Sequence, residues 1–313
     1  MAGLTYPPAA PSATGGEVIA IHRLLKDPTR LAKALKRLSN QRYIADVLLT
    51  GRYSAQGGAI AYETGEPIGA GEKTRVVDPG GEYPLVVIGN GQVSMAYPSN
   101  RGQDTLVTDK AISRMNIDPV RRALLRLVQQ NVIDVDGAAM AVITSALTNT
   151  KAASANWQTS ATAAQILQDV LTADAQVRAQ NNGFETDTVV LDDMTWAVVF
   201  AKFAAAGMLP RDSDQNPILT GSFPVVAGKR FLRSPNAPAS TAVLVDGGNL
   251  GGMADEKDNA PGYASAPADS EGPAVEVKSI RQDENDRYRL RARRSTVAVV
   301  LEPLAGVKIQ GVS

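Results

Sequence analysis

The stretch from about Gly102 to Leu147, GQDTLVTDKAISRMNIDPVRRALLRLVQQNVIDVDGAAMAVITSAL, constrains this chain more than any other. It reads as a long helical register with one break signal inside it, and a glycine-rich extended region lies directly before it. After the break, apolar residues recur at Val120, Leu124, Leu127 and Val128, Val132, Val135, Ala139, Val142 and Ile143, and Leu147, close to the α-helical period. Asp118-Pro119 reads as an N-cap followed by a proline at the first helical position, where the missing N–H costs nothing. A helix from 119 to about 147 would span ~43 Å at ~1.5 Å per residue. That length suits a rod that organises a flat, extended subunit. Periodicity alone leaves open a core helix of an ordinary α+β domain.

The 313 residues allow one large domain or two smaller ones around a sizeable core. Aromatics make up only 5%, so that core must be built from Leu, Val, Ile and Ala. The absence of cysteine excludes disulfides, cysteine nucleophiles and thiolate metal sites. No apolar run approaches the ~20 residues that span a bilayer. The opening MAGLTYPPAAPSATGGEVIA has neither the basic nor the apolar region of a secretory signal, so a cytoplasm is the expected setting, with no membrane involved. Net charge is zero but divided. Residues 1–45 hold seven Lys/Arg against Glu17 and Asp27, and residues 166–273 hold fourteen acids against seven bases. Such division suits copies that dock on one another, or a body with one face toward nucleic acid. Solvated faces without a partner are the alternative.

Residues 1–17, rich in Pro, Ala, Ser and Gly, cannot form a packed element alone. Asp27-Pro28 then starts a helix with Leu31, Leu35 and Leu38 on one stripe and Lys33, Lys36 and Arg37 off it, a basic amphipathic element. From Gly51 to Gly102, turn signals surround the β-prone runs AIAYE, TRVV and PLVVI, which suggests a long two-stranded excursion. An isolated ribbon of that kind is marginal in water and needs a neighbour to lie on. Helices are expected at about 162–181 and over TWAVVFAKFAAAG, the latter stopped by Gly207, with the strand DTVVLDD between them. Short strands follow at FPVVAG, KRFLRS and TAVLVD, whereas GGNLGGMADEKDNAPGYASAPADSEGP reads as flexible and acidic. The end reads as strands: VEVKSI, RYRLRARRSTVAVVLEP and GVKIQGV. In the middle one Arg287, Arg289, Arg291 and Arg293 alternate with Tyr288, Leu290 and Ala292, giving a basic and an apolar face.

The search for chemistry is nearly empty. His22 is the single histidine and has no nucleophile or second ligand beside it, so a structural role is expected. GEPIGAGEKT (65–74) lacks the Gly-Lys step and helical context of a phosphate loop, and VDGGNLGG (245–252) lacks the spacing of a dinucleotide loop. Asp134 with Asp136, and Asp192 with Asp193, lack calcium-loop spacing and read as solvated or Arg-paired. Aromatics are too sparse for a single-strand stacking platform. No catalytic residue, metal site or cofactor is expected, and the chain reads as one built to make contacts rather than as an enzyme.

The order of these parts resembles the major capsid proteins of tailed bacteriophages, the Hong Kong 97-type fold, particularly those of phages infecting actinobacteria. TDKAISRMNIDPVRRALLRLVQQNVIDVDGAAMAVI and the ending VLEPLAGVKI carry the resemblance most specifically. It implies an α+β capsid fold with an N-arm at 1–50 and an extended β loop at 51–104 lying on the adjacent subunit. A peripheral domain with a long spine helix would occupy 105–159 and 272–313, and an axial domain 160–271. It implies a virion protein, assembled in the host bacterial cytoplasm, whose copies form hexamers and pentamers of an icosahedral shell enclosing double-stranded DNA bound non-specifically. Its partners would be itself, a separate scaffolding protein if scaffolding is used, a portal and a decoration protein. An encapsulin-like nanocompartment is the alternative within the fold, and a small-molecule α+β enzyme using Asp192 or Asp193 the alternative outside it.

Arg30, Lys33, Lys36 and Arg37 are the candidates for contact with the interior or with a neighbour's acidic surface. Some relatives cross-link a loop lysine to an asparagine of a neighbour. Lys73 is the sole lysine between Lys36 and Lys110, and Asn285 the sole asparagine after Asn259. No surrounding motif supports the reaction, so an inter-subunit contact or a solvated lysine is expected at Lys73.

Overall fold

The computed structural model describes residues 15–39, 43–65, 74–83, 85, 91–115, 117–207, 225–258, 260–265 and 275–313. Helices α1 (Gly15–Lys26), α2 (Pro28–Ser39) and α3 (Ala45–Leu48) precede β1 (Gly51–Ser54), β2 (Ile60–Thr64), β3 (Gln92–Ala96) and β4 (Ser99–Thr108). Then come α4 (Asp109–Met115), α5 (Asp118–Ala146), β5 (Asn149–Ala152), α6 (Ala163–Arg178), β6 (Thr188–Leu191) and α7 (Asp193–Ala205). The remainder is extended: β7 (Val225–Val226), β8 (Lys229–Arg233), β9 (Thr241–Val245), β10 (Gly251–Glu256), β11 (Ala264–Ser265), β12 (Glu276–Gln282), β13 (Arg287–Val300) and β14 (Gly306–Gln310).

The periodic stretch forms the 29-residue α5. It begins one residue earlier than expected. Ile117 holds the N-cap position without a side-chain cap, and Asp118 sits in the first turn, where its charge complements the helix dipole. Residues 102–108 leave the helical register altogether. They finish β4, which pairs with β13 from Ser99↔Thr296 to Arg287↔Thr108, and that ten-residue ladder outweighs the local helical pattern.

α5 runs through two apolar cores. Its first half gives Val120, Ala123, Leu124, Leu127 and Val128 to a core closed by α1 and α2 on one side and by Val107, Val277, Tyr288, Leu290 and Ala292 of the sheet on the other. Its second half gives Val135, Ala139, Met140 and Ile143 to a core shared with α6, α7 and the second sheet. That second sheet has the order β5-β14-β9-β6-β8-β7. Capping fixes its helices. Thr162 and Gln165 form a reciprocal capping box on α6, Asp192 caps α7, and Gly207 just beyond α7 has φ +69°, as expected of a C′ glycine.

β13 is the other element shared by both cores. Its register places β4 along one edge, and β12 followed by β10 along the opposite edge. β10 corrects the reading of residues 247–273 as flexible throughout. Gly251–Glu256 form a strand between β1 and β13, and its first four residues are buried. The glycines are there for close approach rather than mobility. A Cβ on Gly252 would lie 2.4 Å from the Gly51 carbonyl oxygen, and Gly251 has φ +154° with the Val299 carbonyl 2.1 Å from its Cβ position.

The two-stranded excursion is present as β2 paired antiparallel with β3. TRVV (74–77) forms no strand, and of PLVVI only Leu85 is among the described residues. Val76, Tyr83, Leu85, Val93, Met95 and Tyr97 are all exposed, Val76 and Leu85 almost completely. The chain here presents apolar surface that its own body does not cover.

Gly252→Ala is expected to push β1 off β10 and to cost about 1–3 kcal/mol, as overpacked sites do. Urea denaturation of the unassembled chain reads this directly, and wild-type stability in the variant would contradict the buried-strand assignment.

Candidate assembly surfaces and the seam between the cores

Where the two cores meet, the packing turns polar. Tyr43, just before α3, donates its hydroxyl to Asn131 Oδ1 at 2.6 Å, and Asn131 Nδ2 donates to the Arg101 carbonyl at 3.1 Å. Asp136 accepts from the amides of Ile44 at 3.1 Å and Ala45 at 3.0 Å, so the start of α3 is tied to the middle of α5. Arg294 of β13 is completely buried. Its two Nη atoms donate to Asp46 at 3.1 Å each, and Nε and Nη2 donate to Asp255 at 3.0 and 3.2 Å. Its guanidinium lies 4.9 Å from the centre of the Tyr43 ring.

Electrostatics follow from burial. Burial alone would lower the Arg294 pKa, but Asp46 and Asp255 outweigh it and hold the guanidinium charged. Burial pushes the Tyr43 phenol up, with the Arg294 charge opposing. Burial also pushes Asp136 up to about 6, against the lowering effect of the two amides it accepts. Asp136 is therefore neither solvated nor Arg-paired, as its sequence reading had it. Asp134 does fit that reading, being exposed and accepting from Gln130 Nε2 at 3.0 Å.

Arg294 is the functional residue that the sequence reading missed, although a signal was there. The outward arginines occupy odd positions of β13, and Arg294 falls on the even, inward parity with Tyr288, Leu290 and Ala292. An arginine on that parity requires buried carboxylates.

The outer face of β13 is basic in sequence but neutralised in space. Arg289 and Arg291 converge on Asp104 of β4, with Arg291 Nε 2.7 Å from Asp104 Oδ1. Arg293 pairs with Glu276 at 2.7 Å and Asp258 at 3.0 Å, and stacks 3.9 Å over Tyr263. Arg287 Nε donates to Gln282 Oε1 at 2.7 Å. Nearby, Arg281 grips Asp109 with two bonds of 2.6 and 2.7 Å. Hydrogen bonds from these arginines, foremost Arg291 on Asp104 and Arg281 on Asp109, hold both carboxyls below their ordinary range.

The helical layer on the other side of the first core differs. Arg23, Lys26, Lys33, Lys110, Arg114, Arg121, Arg122 and Arg126 are exposed, and none forms an ion pair among the described residues. Arg30 pairs at 3.1 Å with Asp27, whose carboxylate also caps α2 through the Thr29 and Arg30 amides. Thus Arg30 and Lys33 lie on α2 as expected. The side chains of Lys36 and Arg37, and Lys73 entirely, lie outside the described residues.

The remaining candidates are structural. His22 Nδ1 lies 3.2 Å from the Tyr288 hydroxyl and docks α1 on the sheet. Asp192 accepts from the Met194 and Thr195 amides, and Asp193 is exposed in the first turn of α7. In VDGGNLGG, Asp246 accepts from the Gly248 amide and Asn249 Nδ2, which makes a turn rather than a phosphate cradle. Most of GEPIGAGEKT lies outside the described residues. Among the described residues no group of three potential metal ligands comes together, and no helix is long and apolar enough to cross a membrane.

A family model described as phage capsid protein matches residues 92–309, well over half of the chain. The chain belongs to the phage capsid protein family. As a member it is a capsid shell protein with a virion location, and its sheets and helices form the α+β capsid fold. No curated protein matches it significantly. Among solved structures, one described as Mycobacterium phage Che8 is 14% identical, covering 85% of this chain and 90% of its own with a TM-score of 0.53. The phage G gp27 major capsid protein, solved with gp26 decoration proteins, is 16% identical over 85% of this chain and 90% of its own, with a TM-score of 0.51. A virus-like particle from Pyrococcus furiosus is 10% identical, covering 90% of this chain and 98% of its own, with a TM-score of 0.56.

Two outcomes test the seam of this capsid protein. Arg294→Met leaves Asp46 and Asp255 without their buried partner and is expected to cost about 3–5 kcal/mol, measured by urea denaturation of the unassembled chain. Asp136 binds its proton more tightly folded than unfolded. Its contribution to stability is therefore fully present below its ordinary value of 3.8 and is lost as pH rises through about 6. In Asp136→Asn the stability difference between pH 4 and pH 6.5 should shift toward greater stability at the higher pH; an unchanged pH profile would contradict the assignment.

Proposed function

We propose that this capsid protein is the major shell subunit of a tailed phage, whose copies form hexamers and pentamers of an icosahedral shell around double-stranded DNA. The observation that carries the reading is the β2–β3 ribbon and the segment it brackets. Val76, Tyr83, Leu85, Val93, Met95 and Tyr97 are exposed there, and apolar surface of that extent is stable only under a neighbour. A second copy supplies that cover. Residues 1–50 act as the N-arm and 51–104 as the extended loop on the adjacent subunit, where Lys73 makes an inter-subunit contact. Residues 105–159 and 272–313 form the peripheral domain with α5 as its spine, and 160–271 the axial domain. β14 crosses between them, since it pairs with β5 and β9 in the second sheet.

The two layers of the first core take opposite sides of the shell. The helical layer, where all the exposed Arg and Lys residues except Arg30 form no ion pair among the described residues, faces the genome. The sheet layer, where Arg289, Arg291 and Arg293 are paired with carboxylates, faces out. Contact with DNA is non-specific and salt-dependent, as phosphate neutralisation is. The role is structural rather than catalytic: each interface need contribute only a few kcal/mol, because closure makes many act together. A portal and a decoration protein complete the particle, with a scaffolding protein where scaffolding is used, and assembly takes place in the host cytoplasm.

Expression of the chain followed by sizing and electron microscopy tests this reading. Closed shells are the expected result, and a stable monomer would overturn it. Shells holding cargo protein and never DNA would favour the encapsulin-like alternative. In phage particles, Arg121→Glu, Arg122→Glu and Arg126→Glu together should lower DNA retention by about tenfold or more while shells still form. Full-titre particles would refute the assigned sidedness.

A further inference from the structure

A groove of about 480 Å³ opens between the N-arm helices and the spine. Leu24 of α1 and Ala34 of α2 form one wall, and Ile117, Val120, Leu124 and Leu125 form the other, with Arg121 as the single charged residue in the lining. Ile117 and the nearby Met115 are exposed. The groove sits in the most cationic part of the molecule, yet its surface is carbon. Nucleic acid therefore gains little there, and the occupant must be apolar and free of charged side chains.

The chain contains one terminal segment of that description. Residues 1–16, MAGLTYPPAAPSATGG, include no Asp, Glu, Lys or Arg. They lead directly into α1, the helix whose Leu24 lines the groove. From Gly15 to Leu24 the helix rises ~13 Å, while fourteen extended residues reach more than ~40 Å, so the segment can return along α1 with length to spare. Gly15 and Gly16 form the first turn of α1, and a Cβ on Gly16 would meet nothing within 4 Å, so the space beside that turn is open. Pro7-Pro8 favours an extended polyproline conformation, which reduces the entropy lost on docking.

We propose that residues 1–14 turn back ahead of α1 and lay Leu4 and Tyr6 into this groove of their own subunit. The segment then acts as a strap that covers Leu124 and Leu125 and clamps α1 and α2 on the spine.

The lack of native cysteine makes a clean test possible in the full-length chain. Leu4→Cys is combined with Leu125→Cys, half-buried in the groove wall, or with Gln130→Cys, exposed farther along α5. Under mild oxidation the 4/125 pair should form a disulfide within one chain, running as a monomer on a non-reducing gel, and the 4/130 pair should not. Disulfide-linked dimers would assign the groove to a second copy and overturn the proposal. Equal yields for both pairs, or no bond at 125, would overturn it as well. A second measurement uses Leu125→Cys alone. Its alkylation by iodoacetamide should quicken about tenfold when Leu4→Asp and Tyr6→Asp are added, equivalent to ~1.4 kcal/mol of docking. An unchanged rate, or protection that depends on protein concentration, would reject the strap.

Discussion

The subunit depends on the burial of one arginine. Arg294 is completely enclosed where the two apolar cores of the molecule abut, and Asp46 and Asp255 are the groups that keep it there. Removing two or three charges from water costs more than their attraction returns unless the geometry is nearly ideal. Here the guanidinium donates two bonds to each carboxylate. The three residues come from distant parts of the chain: the segment after the N-arm helices, the glycine-rich strand β10, and β13. Each element must therefore be in register before the charge is satisfied. Apolar contacts alone would let α5 and β13 slide past one another by small amounts; a buried ion cluster does not tolerate such a slip.

Around that seam the same amino-acid types serve opposite ends. Three of the arginines on the outer face of β13 are consumed internally, Arg289 and Arg291 by Asp104 and Arg293 by Glu276 and Asp258. The arginines on the first half of α5 have no such partners among the described residues. A count of basic residues along the sequence does not separate the two groups. What separates them is whether a carboxylate lies on the neighbouring strand, and pairing registers such as Arg291↔Asp104 and Glu276↔Arg293 supply one. Sidedness in this molecule is thus written in strand register rather than in composition.

Much of the fold was legible in sequence, for identifiable reasons. α5 was readable because its apolar stripe persists over both cores, and the alternation in β13 because one face is buried along most of its length. The capping signals at Asp27 and Gly207 act locally and need no tertiary context. The misreadings were all tertiary. TLVT before α4 joined a strand because β13 was there to pair with it. GGMADE resembled a flexible loop because small residues look alike whether they permit motion or permit contact. The family resemblance named the shell but could not place the seam. Asp46, Asp136, Asp255 and Arg294 are far apart in sequence and converge only after folding.

The placement of glycine at 251 and 252 ties these threads together. Asp255 reaches Arg294 because β10 lies against both β1 and β13, and β10 fits between them because those two positions carry no side chain. β1 in turn follows directly from α3, whose first amides are held by Asp136 of the spine. A closed path therefore runs from the spine through α3, β1 and β10 to β13, and back to the spine through the first core. Its outward steps are hydrogen bonds, chain connection and strand pairings, and its return step is apolar packing. Such a path lies wholly within one chain. The β2–β3 ribbon stands outside it and carries exposed apolar residues.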